Sequence, residues 1–184
     1  MLESSKQAKE HLESLEKFSA RTPFELPSLV EGSKKLIAFG LGVDEVIDRL
    51  NRLGDLSQGQ ANILDRLTLA YGKLKAKGKA SLEELNMFTE AGVPLMDALA
   101  EQFGVTTEKL FEMITRGKVG FRDVDRAVIK MTSSGGQFFR MMDKQSRTFQ
   151  GRVSTMKDDL EQLARTIGEM LLPSAKKAVL SISE

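Results

Sequence analysis

The chain has 184 residues, 41% hydrophobic and 29% charged, the make-up of one ordinary globular domain or of a domain with a helical arm. Its 27 Lys and Arg against 26 Asp and Glu leave a net charge of +1, which excludes a nucleic-acid binder working through a bulk positive field. The absence of Cys excludes disulfides, thiolate metal sites and a cysteine nucleophile, while the lack of a long apolar run and the charged start MLESSKQAKEHLES argue against a membrane span or signal peptide and for a soluble, intracellular-type chain.

Taken in chain order, every patterned segment has the helical period, and none alternates long enough for a strand. The first helix is predicted from about Ser4 to Ala20, with Ala8, Leu12 and Leu15 on one face. Thr22-Pro23-Phe24 forces an extended link, because the residue before proline avoids the helical region. Pro27 suits the first turn of a second helix that carries Val30, Leu36, Ile37 and Phe39 and stops at Gly40. Asp44 and Glu45 open a third, predicted to stop at Gly54. The fourth, from about Gln60 to Lys77, has a stripe of Ile63, Leu64, Leu67, Tyr71 and Leu74 and ends in lysines that complement the macrodipole. Ser81 with Glu84 reads as a capping box for the fifth, Pro94 begins the sixth, and Thr106 or Thr107 caps the seventh. Phe121 to about Ser133 is the eighth. Gly40, Gly54, Gly78, Gly92, Gly104 and Gly117 each follow an amphipathic run and are expected to end a helix.

A shift of 25 residues aligns Leu85 with Leu110, Phe88 with Met113, Gly92 with Gly117, Leu99 with Val124 and Phe103 with Val128. This reads either as two copies of a glycine-hinged helical hairpin or as a chance likeness of short helices. Ser133-Ser134-Gly135-Gly136 then breaks the pattern, and Gly135 and Gly136 are the candidate hinge. Beyond them a long helix is predicted from Phe138 to Pro173, with Gly151 as a point for a bend. Within it Phe149, Val153, Met156, Leu160, Leu163, Ile167 and Met170 follow alternating spacings of four and three, a heptad seam. It reads as a packing stripe against this chain's own helices or as a self-association or partner-pairing face. The expected divisions are an N-terminal helical arm at 1–21, a compact helical region at 22–134 and a long helical segment at 135–184.

Catalytic vocabulary is thin. His11 lies among Lys9, Glu10 and Glu13, which reads as solvated helix surface, and the carboxylate pairs sit outside apolar runs that would shift a pKa. No phosphate-loop motif and no metal-ligand cluster occur, so no catalytic residue, cofactor or metal is assigned. Gly40-Leu41-Gly42 resembles the turn of helix-hairpin-helix modules, with Lys34 and Lys35 upstream, but Asp44 and Glu45 would face the bound phosphate. The run Lys73, Lys75, Lys77, Lys79 reads as a solvated helix end, or as a small anionic contact.

The order of several pieces carries a family resemblance. Thr22-Pro23-Phe24, LIAFG at Leu36 to Gly40, the Leu-Gly-Asp-Leu of Leu53 to Leu56, and EELNMFTEAGVPLMDALAEQFG from Glu83 to Gly104 resemble the N-terminal tape-measure domain of tailed-bacteriophage tail proteins. So do Met131 to Phe138, Met142, Gln145-Ser146, Thr148, Gly151, Asp158-Asp159, Ile167-Gly168 and Leu172-Pro173. The likeness spans about Thr22 to Pro173. It implies a largely helical ruler protein of phage or prophage tails, acting in tail assembly, tail-length determination and DNA ejection. It further implies tail-tube, tail-tip or baseplate proteins and tail-assembly chaperones as partners, and a location in the virion tail or, during assembly, the host cytoplasm. Because the chain is shorter than a full ruler, an excised domain or a prophage remnant is expected. The expectation is therefore an all-α bundle of short, glycine-terminated helical hairpins with a longer C-terminal helix. Its role is structural and not enzymatic. The alternative is a helical binding module touching DNA weakly through Gly40-Leu41-Gly42.

Overall fold

Tyr71 and the leucines around it show how the chain closes. In the structure, a computed structural model that describes residues 2–148, Leu67, Tyr71 and Leu74 of the fourth helix are fully buried and Leu64 nearly so. Burying each such side chain contributes roughly 1.5–3 kcal/mol. Among the described residues there are eight named helices: α1 (Leu2–Ser19), α2 (Leu26–Ala38), α3 (Val43–Leu56), α4 (Ala61–Lys77), α5 (Leu82–Glu90), α6 (Leu95–Phe103), α7 (Thr107–Thr115) and α8 (Phe121–Thr132). The fold is all-α, and the extended pairing present is a lone antiparallel bridge between Lys79 and Gly120. Helix α4 lies at the centre, packed against α2, α3, α5 and α8. The α5–α6 and α7–α8 hairpins pack on one another through α6·α7, α6·α8 and α5·α7. Three of the five pairs aligned by the 25-residue shift share their surroundings, since Leu85, Leu110, Leu99 and Val124 are all buried and Gly92 and Gly117 both have positive φ, whereas Met113 and Phe103 are only partly buried against their aligned, fully buried Phe88 and Val128.

Three expectations change. Gly54 does not stop α3, which runs on to Leu56 so that Leu53 and Leu56 both reach the core. A glycine favours close packing there because two side chains cross the helix: a Cβ on Gly54 would lie 2.8 Å from Met142 Sδ and 3.0 Å from Phe24 Cε2. Ser81 is the N-cap of α5, but its hydroxyl bonds the Glu84 carboxylate and not a backbone N–H. Thr106 makes the expected kind of cap, accepting from the Lys109 N–H at 3.3 Å.

The third concerns the divisions. The chain separates into Met1–Ser146 and Arg147–Glu184. The first unit takes in α1, whose Leu15 and Phe18 join the core against α2 and α3, so this helix is not an arm standing apart. It also takes in the chain beyond Gly135-Gly136. There α8 ends at Thr132 and the backbone folds back on itself: Gly136 N–H donates to Ser133 O at 2.8 Å and Phe138 N–H to Met131 O at 2.9 Å. Phe138 and Met142 are thereby buried, and helical backbone resumes at 141 and continues to 148, not from Phe138. The seam Phe149, Val153, Met156, Leu160, Leu163, Ile167 and Met170 lies outside the described residues.

Candidate functional site

Polar groups inside an apolar core need partners, because an unmatched buried donor or acceptor costs about 1–3 kcal/mol. The chain's one tyrosine, Tyr71, is fully buried, so its hydroxyl must find them. It donates to Asp125 Oδ1 at 2.6 Å, and Arg49 Nε reaches the Tyr71 oxygen at 3.1 Å. Arg49 also grips Asp125 with both arms of its fork, Nε to Oδ1 at 2.8 Å and Nη2 to Oδ2 at 3.0 Å. Asp48 and Glu45 add further negative charge beside the guanidinium. Burial, reinforced by Asp125, pushes the Tyr71 hydroxyl far above the usual tyrosine range, so it stays a donor. Burial opposes the Arg49 charge, but Tyr71 and Asp125 outweigh it and hold the guanidinium protonated.

Arg49 begins a rail along α3, continued by Arg52 and Asp55 at three-residue spacing on the same helix face. Arg52 Nη1 donates to Thr132 Oγ1 at 3.0 Å at the C-terminal end of α8, while its Nε holds Asp48 at 2.9 Å. Asp55 Oδ1 accepts the Met142 N–H at 3.0 Å, fastening the segment that follows the Gly135-Gly136 turn. Burial pushes the Asp55 carboxyl up, against the opposing pull of the Met142 and Arg140 N–H groups and of Arg52. One face of α3 thus fixes α8 at both ends and the chain beyond it. The residues of this rail carry ordinary charged-helix spacing, so the sequence reading passed over them; the lone buried Tyr was the available signal.

The residues singled out from sequence fall elsewhere. At Gly40-Leu41-Gly42, Leu41 points into the core, and a Cβ on Gly42 would meet Asp44 Oδ1 at 2.6 Å. The Asp44 carboxylate therefore stands close against this turn, at the start of α3, where a phosphate would bind. Lys35 is turned to Asp65 on α4, Nζ to Oδ1 2.5 Å, and is not available to one. The geometry does not favour the DNA turn. His11 is half-buried and not a solvated surface residue: its Nε2 lies 2.7 Å from Ser33 Oγ. Ser33 is sealed inside the α1–α2 contact, so its oxygen is closed to a substrate. Burial lowers the His11 pKa. Among the described residues no group of three or more His, Asp or Glu is placed to hold a metal, and no helix is long and apolar enough to cross a membrane.

The sequence model of a family described as tape measure protein matches residues 1–169. A protein of Haemophilus influenzae described as Mu-like prophage FluMu protein gp42 is 28% identical over 149 residues, which cover 78% of this chain and 23% of that protein. The chain thus spans less than a quarter of the length of this curated relative. No solved structure matches it.

Proposed function

Since the chain belongs to the tape measure protein family, we propose that it serves as a folded structural domain of a phage or prophage tail protein, acting in tail assembly and tail-length determination and without enzymatic activity. The observation that carries this reading is the family match over residues 1–169, which takes in the whole Met1–Ser146 unit. The α3 rail supports a structural part, because Arg49, Arg52 and Asp55 bond to α8 and to the Met142 backbone and so tie the elements of the unit together. In this role the unit is a rigid block that tail-tube, tail-tip or baseplate proteins and assembly chaperones hold, first in the host cytoplasm and then in the virion tail. The full-length protein leaves the tube as DNA is ejected. The heptads from Phe149 to Met170 pair a helix onward from the block, within the chain or between copies, and Gly135-Gly136 sets the direction in which the chain leaves α8.

The test is genetic. Leu67→Asp, which places a carboxylate in the buried face of α4, is introduced into the gene in its phage or lysogen, and particles are imaged after induction. Tails should be missing or of uncontrolled length. Tails of normal number and length would overturn the proposal.

A further inference from the structure

Charge is unevenly spread over this nearly neutral chain. The fold brings the last turns of α4, the Gly78–Ala80 link, the loop from Arg116 to Gly120 and the first turns of α8 to one end of the unit. Ala80 N–H donates to Val119 O at 2.8 Å and Phe121 N–H to Gly78 O at 3.0 Å, on either side of the Lys79–Gly120 bridge. Six cations, Lys75, Lys79, Arg116, Lys118, Arg122 and Arg126, are gathered there. Lys75, Arg122 and Arg126 line one surface depression together with the half-buried ring of Phe121, and Lys75 Nζ stands 5.1 Å from that ring's centroid. Lys79 reaches across the loop, its Cδ 4.0 Å from where a Cβ on Gly117 would be.

These charges are poorly compensated. Arg126 pairs with Asp123 at 2.5 Å, while none of the other five forms an ion pair among the described residues. The nearby carboxylates are taken: Glu83 faces Lys73 and Lys77, and buried Glu84 accepts from Lys77 at 2.6 Å. The α4 lysines gain from the carbonyl end of their own helix. Lys118 and Arg122 do not, since they flank the N-terminal end of α8, where the macrodipole disfavours cations. Arg122 and Arg126 are also like charges at i,i+4, a destabilising spacing. This end of the molecule therefore carries positive charge that its own fold does little to compensate.

We propose that this end of α4 and α8 is a docking surface for an acidic protein segment, an amphipathic helix whose carboxylates meet the cations while an apolar side chain seats against Phe121. An aromatic centre inside an arginine-rich rim is the make-up of a protein interface. A nucleic-acid backbone fits less well. It offers no apolar side chain to seat against the half-buried Phe121, and a net charge of +1 supplies no long-range field to draw a duplex. The inference stands apart from the tail-assembly reading, because it rests on this surface alone.

The test measures binding of the full chain to three probes: a synthetic helical peptide with Leu on one face flanked by Glu, the same peptide with Gln for Glu, and a random-sequence DNA duplex. The Glu peptide should bind at least tenfold more tightly than the Gln peptide and than the duplex, and its binding should weaken as salt is raised. Lys118→Glu with Arg122→Glu should weaken it at least tenfold. The control pair Lys9→Glu with Lys34→Glu, exposed on α1 and α2, should leave it unchanged. Thermal melts separate lost binding from lost folding, and the Lys118→Glu, Arg122→Glu protein should melt at or above the wild-type temperature. Tighter binding of the duplex, no preference for the Glu peptide, or equal losses in both charge-reversed pairs would overturn the proposal.

Discussion

A single hydroxyl at the centre of the core offers the most direct check on the rail. Tyr71→Phe keeps the ring, including its edge-on contact with Phe121 at 5.1 Å, and removes the hydroxyl that donates to Asp125 and accepts from Arg49, whose Nε keeps its bond to Asp125. It should cost about 1 kcal/mol in urea unfolding. Asp125→Ala leaves both the Arg49 charge and the Tyr71 hydroxyl short of an acceptor and should cost about 2–3 kcal/mol, moderated because Asp48 and Glu45 still face Arg49. Equal effects would show that the fork on Asp125 contributes nothing. His11 sets a pH dependence. Its folded-state pKa is lowered by burial, so the unfolded chain binds more protons once pH falls below the ordinary value of 6.5, and stability then declines until the folded-state pKa is passed. His11→Gln should flatten that part of the stability–pH profile relative to wild type. Identical profiles would mean that the ring is as well solvated in the fold as out of it.

At the scale of elements, two glycines hold close approaches of different kinds. At Gly54 of α3 the obstacles to a Cβ are the side chains of Met142 and Phe24, which can shift. At Gly136 they are backbone carbonyls, Lys130 O at 2.5 Å and Met131 O nearer still, which cannot move without unwinding the end of α8. Gly136→Ala should therefore cost about 1–3 kcal/mol and more than Gly54→Ala, since overpacking is relieved where side chains yield. It should also raise the exchange rate of the Met142 amide, which reaches Asp55 only when the turn is closed. Hydrogen exchange at that amide as slow in the alanine variant as in wild type would show that the turn and the α3 contact are independent.

For the molecule as a whole, the core of the described residues runs from Leu15 of α1 to Met142, all of it within the first unit. Residues 1–146 produced alone should therefore melt in a single cooperative transition. A broad or stepwise melt would show that the unit is incomplete. The heptads beyond it are tested separately in the full chain by Leu160→Asp with Leu163→Asp. If they pair between copies, the wild type should sediment as an oligomer and the variant as a monomer. If they pack within the chain, only the melting behaviour should change.

The sequence alone determined that this protein is helical, where most helices begin and end, and which faces are apolar. These features follow from local chemistry: the 3.6-residue period, the αL preference of glycine at Gly78 and Gly104, and the fixed φ of proline near Pro23, Pro27 and Pro94. The order of short motifs was also enough to point to its family. What only the tertiary structure decided depends on residues far apart in the chain. Gly54 follows an amphipathic run just as Gly78 does, and only the crossing of Phe24 and Met142 makes it a contact and not a stop. Arg49, Arg52 and Asp55 have the spacing of any solvated helix face, and they become a rail because α8 returns alongside α3. Lys75 and Lys79 likewise read as a solvated helix end until the Arg116–Gly120 loop is folded against them. Local preferences act over a few bonds and are written in consecutive residues; the partners of a buried charge are set by packing across the whole chain, which no window of sequence contains.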